Sequence, residues 1–188
     1  MNGNFDTALE IQEFLRDRGW DFCFIGGIAV IRWGEVRLTE DVDLCLLTGF
    51  GNEGDYIVEL LQSYESRISD ADSFAIQNRI LLLKSESGTQ IDVSLGGLPF
   101  EEQMIQRATD FAFAEGCALK TCSAEDLVVM KAFADRERDW IDVRGILIRQ
   151  GSSLNLHYVR DSLLPLCDLK EAPEIVVRFE HLVRDIRG

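Results

Sequence analysis

A change of hydrophobic period at Ser123 constrains this chain more than any other feature. Before it, apolar residues come in short runs divided by turn residues, and after it they recur at helical spacing over long stretches. Upstream, residues 5–18 predict a helix, with Ala8, Ile11, Phe14 and Leu15 on one face. Phe22–Ile25, Asp41–Leu47, Ile80–Leu83 and Ile91–Leu95 predict strands, and 28–33, 57–64 and 100–108 predict further helices. Residues 111–121 predict strand or irregular structure around Gly116. Ser123-Ala-Glu-Asp126 fits a capping box, and helical patterns follow at 124–150, 155–166 and 173–187, the last opened by Pro173. The expected organisation is a mixed α/β core over residues 1–120 and a helical subdomain over 121–188, packed on the core. No internal repeat or low-complexity linker interrupts the 188 residues.

Charge narrows the partners. Residues 1–120 hold 21 acids and 9 bases, and residues 121–188 hold 12 and 10, within a net charge of −14. A first segment this acidic repels phosphate backbones, so non-specific DNA binding is not expected. No apolar run reaches the ~18 residues of a membrane span. The opening MNGNFDTALEIQEF lacks the basic start of a secretory signal, so a cytoplasmic location is expected. Five cysteines without a C-x-x-C pair suit reduced thiols, and two histidines make a Cys/His zinc site a poor fit.

The acids that bear on chemistry are Asp41, Asp43 and Asp92. Asp41 and Asp43 lie two apart in a strand, so both carboxylates leave the same face while Val42, Leu44 and Leu46 enter the core. Asp92 has the same phase between Ile91 and Val93. If the two strands are neighbours, three carboxylates converge and require a cation. Mg²⁺, a hard ion held by carboxylates together with substrate phosphates, is the natural choice. Gly26-Gly27 between a strand and a helix lets backbone amides approach an anion, and Arg37 adds a fixed cation nearby. Together these features indicate a site for a magnesium-bound nucleoside triphosphate.

The run Phe24-Ile-Gly26-Gly27-Ile-Ala-Val, followed by Arg37-Leu-Thr39-Glu-Asp41-Val-Asp43 and then Asp92, resembles the nucleotidyltransferases of the DNA polymerase beta-like superfamily. The small bacterial branch that includes the AbiEii-type toxins is the most similar. The tail run Glu125-Asp126-Leu127, Lys131, Arg136-Glu-Arg138-Asp139-Trp-Ile-Asp142 resembles that branch's helical segment. The resemblance implies an α/β (α+β) fold: a nucleotidyltransferase-like twisted mixed sheet flanked by helices, with a helical C-terminal part. It also implies transfer of a nucleoside monophosphate from an NTP, ATP included, to a hydroxyl acceptor. Asp41 and Asp43 would bind two Mg²⁺ ions, and Asp92 would share the catalytic ion and orient or deprotonate the hydroxyl. Gly26, Gly27, Arg37 and Thr39 would contact the triphosphate, and Lys131 with Asp139 or Asp142 would support the nucleotide or acceptor. Many relatives carry Ser at the position of Gly27, where this chain has only its backbone to offer phosphate.

The competing reading is a non-catalytic nucleotidyltransferase-like domain that acts through NTP or protein binding; retention of all three carboxylates argues for the enzyme. Other D-x-D enzymes fit less well. Haloacid-type phosphatases need Thr or Val where Cys45 stands, and nucleotide-sugar glycosyltransferases bind their nucleotide well before the D-x-D. On a continuous helix, Lys131, Asp135, Arg138 and Asp142 would form a solvated stripe of ion pairs contributing about 0.3–0.5 kcal/mol each. The acceptor stays open between a small molecule, a protein and tRNA, with an antitoxin protein as a further partner by analogy. Arg136, Arg138, Arg144, Arg149 and Arg160 are the basic residues available to steer RNA; if they pair with acids, a small molecule or protein is favoured.

Overall fold

The computed structural model describes residues 3–187. Helix α1 (Gly3–Asp17) buries Ala8, Ile11 and Leu15, and strand β1 (Phe22–Phe24) leads into α2 (Gly26–Trp33). Strand β2 (Asp41–Leu47) and α3 (Glu53–Ser63) follow, then β3 (Glu65–Ser66) and α4 (Ala71–Asn78). A hairpin of β4 (Ile80–Lys84) and β5 (Gln90–Gly96), helix α5 (Pro99–Arg107), and a hairpin of β6 (Thr109–Ala114) and β7 (Cys117–Thr121) complete the sheet-forming part. The tail holds α6 (Ala124–Ala134), α7 (Glu137–Gln150), α8 (Leu156–Lys170) and α9 (Glu174–Arg187), with a 3-10 turn at Gly151–Ser153.

Seven strands form one mixed sheet in the order β3-β4-β5-β2-β1-β7-β6. The β2–β5 and β1–β7 pairs are parallel and the others antiparallel. Val42, Leu44 and Leu46 point into a core shared with Ile11 and Leu15 of α1, Ile57 and Leu60 of α3, and Ala75 of α4. Each large aliphatic side chain buried there contributes about 1.5–3 kcal/mol. Glu101 caps α5 by accepting the Gly97 and Leu98 N–H groups at 2.8 and 2.9 Å.

The chain divides into two compact units. The first comprises α1 through Ile28 and then Leu38–Cys122; the second joins Ala29–Arg37 to the chain from Ser123 onward. In the second unit, the segment after α2 is tied to α7: Gln150 Nε2 donates to the Trp33 carbonyl at 2.7 Å, and Arg149 donates to the Gly34 carbonyl. Helices α6–α9 bury Leu127, Val143, Ile146, Val159, Leu163 and Phe179. Ser123 caps α6, its Oγ accepting the Asp126 N–H at 3.1 Å, and the Asp126 carboxylate accepts the Ser123 and Tyr158 hydroxyls at 2.6 and 2.7 Å.

Three expectations are corrected. The single helix expected over 124–150 is two helices. Asp135 takes the left-handed conformation (φ 58), its N–H caps the carbonyls of Lys131 and Ala132, and its carboxylate accepts the Trp140 indole N–H at 2.7 Å. Lys131 and Asp142 therefore do not share one face of one helix, and their side chains are buried rather than solvated. Helix α8 runs four residues past 166 and passes through Pro165, keeping Leu166 and Cys167 buried. The hydrophobic pattern does not predict β3, which has two residues, or α4, whose buried face is the small pair Ala71 and Ala75. None of the five cysteines forms a disulfide. No helix among the described residues is long and apolar enough to cross a membrane.

Candidate active site

The site starts from the alternation of β2. With Val42 and Leu44 fully buried on one face, Asp41 and Asp43 leave the other. β5 runs parallel beside β2 with Asp43 opposite Asp92 and Asp41 opposite Gln90. Register alone therefore brings the three carboxylates together: one oxygen from each lies within 4.8 Å of the others, and all three residues are half-buried. Burial pushes the Asp92 carboxyl above its usual range; Arg67 opposes the shift and Asp41 adds to it. This donor set, three crowded hard oxygens, fits a divalent cation.

The glycine pair borders the same group. Gly26 has φ +55, and a Cβ there would lie 1.9 Å from Asp43 Oδ2, so conformation and space both demand glycine. The Gly27 N–H, at the start of α2, donates to Asp43 Oδ2 at 3.4 Å. A Cβ on Gly27 would lie 2.2 Å from Thr39 Oγ1, so Thr39 fills the space that a side chain at 27 would take. That hydroxyl is 3.0 Å from the Asp41 carbonyl and 3.2 Å from Asp41 Oδ1. Asn4 secures the Thr39 carbonyl from α1, donating at 2.5 Å. Asp41, Asp43, Asp92, Gly26, Gly27 and Thr39 are thus one group in the first unit.

The remaining expected residues meet in the second unit. Lys131 Nζ lies 2.8 Å from both Asp139 Oδ1 and Asp142 Oδ2. Arg37 grips Asp142 with Nε and Nη2, each at 3.0 Å, and Arg136 Nε donates to Asp139 at 2.5 Å. Burial works against ionisation of both acids; Arg136 and Lys131 at Asp139, and Arg37 and Lys131 at Asp142, overcome it and hold both carboxyls below the usual range. In this structure Arg37 therefore sits on Asp142.

Sequence reasoning does not single out Arg67. It follows β3, donates its backbone N–H to the Leu82 carbonyl at 3.0 Å, and places its guanidinium on Asp92 and Gln90. The available signal is scarcity, since only nine bases occur in the first 120 residues.

Comparisons with known proteins bear on the family and the fold. The family model for the nucleotidyl transferase AbiEii toxin of type IV toxin–antitoxin systems matches residues 18–172. Among solved structures, the antibiotic-resistance factor ANT(2'')-Ia is 14% identical, with a TM-score of 0.57, 96% of this chain covered and 98% of that one. An antigenic nucleotidyltransferase-like protein from Paracoccidioides brasiliensis is 17% identical (TM-score 0.50; 94% and 92% covered). The lincosamide antibiotic adenylyltransferase LnuA is 13% identical (TM-score 0.50; 73% and 92% covered). At these identities the likeness establishes the fold. Sequence comparison with curated proteins returns no match. Because the family model spans most of the chain, the protein belongs to the AbiEii nucleotidyl transferase toxin family and is a nucleotidyltransferase.

Proposed function

We propose that the protein transfers a nucleoside monophosphate from a magnesium-bound NTP, ATP being the first to test, to the hydroxyl of a small molecule or protein. The convergence of Asp41, Asp43 and Asp92 beside Gly26-Gly27 carries this reading. Asp41 and Asp43 would hold two Mg²⁺ ions and Asp92 would share one of them, a group that would supply neutralisation of the charge built up on the phosphate during in-line displacement. The Gly26 and Gly27 backbone, at the positive end of α2, receives the triphosphate with the Thr39 hydroxyl beside it. Asp92 orients the acceptor hydroxyl and takes its proton. The acceptor oxygen then bonds to the α-phosphorus as the bond to pyrophosphate breaks.

Lys131, Asp139 and Asp142 keep a proposed role in nucleotide support on the family resemblance. The ammonium that would serve it is already shared by two buried carboxylates. For the acceptor, the surroundings of the basic residues and the net charge both bear. Arg136 is paired with Asp139 and Arg160 with Glu180, while Arg149 donates to backbone carbonyls. Arg138 and Arg144 are exposed, so pairing alone does not decide against RNA; the net charge of −14 is what favours a small hydroxylated molecule or a protein. A neighbour described as a lincosamide adenylyltransferase in a lincomycin-bound structure supports a small acceptor. Family membership supports an antitoxin as partner.

The test is binding of Mg²⁺ with a non-hydrolysable ATP analogue, followed by calorimetry on wild type, Asp41→Asn and Asp43→Asn. Metal-dependent binding in wild type and its loss in both variants is the expected result. Binding that is equal in all three, or independent of metal, would refute the assignment.

A further inference from the structure

Arg67 bears on how the site takes up metal. Its segment is built to deliver it: Glu65 and Ser66 pair with Lys84 and Leu83 of β4, and Ser66 Oγ closes the turn onto the Ile68 carbonyl at 2.7 Å. Leu82, which receives the Arg67 N–H, stands opposite Asp92 in the β4–β5 ladder. Nη2 then meets Asp92 Oδ1 and Nη1 meets Gln90 Oε1, and the side chain is 22% exposed. Nε is buried with no hydrogen-bond partner among the described residues. Leaving that donor unmet costs about 1–3 kcal/mol. What the position supplies is charge on one oxygen of a carboxylate that also faces Asp41 and Asp43.

We propose that Arg67 is a positioning residue that occupies Asp92 while no nucleotide is present and so makes divalent-cation binding depend on the triphosphate. This rests on the metal-site reading above. A guanidinium and a divalent cation on the same carboxylate repel each other across a partly desolvated gap, which weakens the cation's hold when it arrives alone. A triphosphate brings negative charge that offsets the repulsion, so metal and nucleotide enter together. Until then Arg67 keeps Asp92 oriented through its contact with Oδ1.

The experiment titrates Mn²⁺ calorimetrically into nucleotide-free protein, then repeats the titration with a non-hydrolysable triphosphate analogue. Wild type, Arg67→Gln, Arg67→Lys and Asp41→Asn are compared, each checked for fold by circular dichroism. Without analogue, Arg67→Gln is expected to bind Mn²⁺ at least about tenfold tighter than wild type, while Arg67→Lys, which keeps the charge, stays near wild type. With analogue, the difference between Arg67→Gln and wild type should shrink. Folded Arg67→Gln binding Mn²⁺ no tighter than wild type, or Arg67→Lys behaving like Arg67→Gln, overturns the inference. Mn²⁺ retained by Asp41→Asn overturns the metal-site reading instead, and no binding by any protein under either condition overturns both.

Discussion

Asp92 and Asp142 are both acids set beside a second carboxylate and an arginine, yet their proton affinities move in opposite directions. At Asp92, burial and Asp41 outweigh Arg67, and the carboxyl is pushed up. At Asp142, Arg37 and Lys131 outweigh burial, and the carboxyl is held down. The second cluster carries its own neutralisation: Lys131, Arg37 and Arg136 meet Asp139 and Asp142. Crowded acids therefore mark a place for an external cation only where the fold leaves the charge balance incomplete. By that criterion the strand carboxylates are the proposed reactive site, while the helical ion pairs tie Arg37, α6 and α7 together within the second unit.

The largest effect should come from the strand cluster. Asp43→Asn is expected to lower transfer by roughly a thousandfold, the loss of several kcal/mol of charge stabilisation, with its melting temperature at or above the wild-type value because a crowded charge is gone. If transfer survives, the comparison fails at its first step. Lys131→Met should do the reverse. It removes the ammonium shared by two buried carboxylates, leaving Asp139 to Arg136 and Asp142 to Arg37, and is expected to cost about 3 kcal/mol in denaturant unfolding. A Lys131→Met protein as stable as wild type but inactive would move that cluster from architecture to catalysis.

A smaller effect concerns the glycine pair. Gly27→Ser drives a Cβ into Thr39 and should cost about 1–3 kcal/mol, with part of the loss recovered when Thr39→Gly is added. The smallest effect is the pH dependence of melting in metal-free buffer, where the two clusters have opposite signs. Asp142, whose folded value lies below the unfolded one near 3.9, stabilises the fold above that value and loses its contribution as the pH drops through the folded value. Asp92, whose folded value lies above the unfolded one, favours the fold at low pH and loses its contribution as the pH rises through the folded value. Asp142→Asn should therefore be less stable than wild type at neutral pH, and Asp92→Asn more stable. Both differences should shrink below about pH 4.

Much of this architecture is legible in the amino-acid sequence. The alternation in Asp41–Leu47 marks β2 at its observed bounds, and the matching phase of Asp92 implies a shared face once β2 and β5 are neighbours. Long helical periods locate α6 to α9 in outline. Features that depend on contacts distant in the chain are not legible. Arg67 follows a strand of two residues, too short for any period. The break between α6 and α7 depends on Asp135 adopting a left-handed backbone, which no hydrophobic pattern signals. The absence of a side chain at Gly27 reads as a weakness in phosphate binding, but Thr39, twelve residues on, brings its hydroxyl into the space that side chain would occupy.

The measurement that tests this account most directly follows the label from α-³²P-ATP and γ-³²P-ATP, each incubated with Mg²⁺, protein-free small-molecule extract or total protein, and either wild type or Asp41→Asn. The expected result is α-label in an acceptor fraction with wild type, none with Asp41→Asn, and no transfer of γ-label. Transfer of γ-label, or equal α-labelling by the variant, would contradict nucleotidyl transfer at the Asp41–Asp43–Asp92 site.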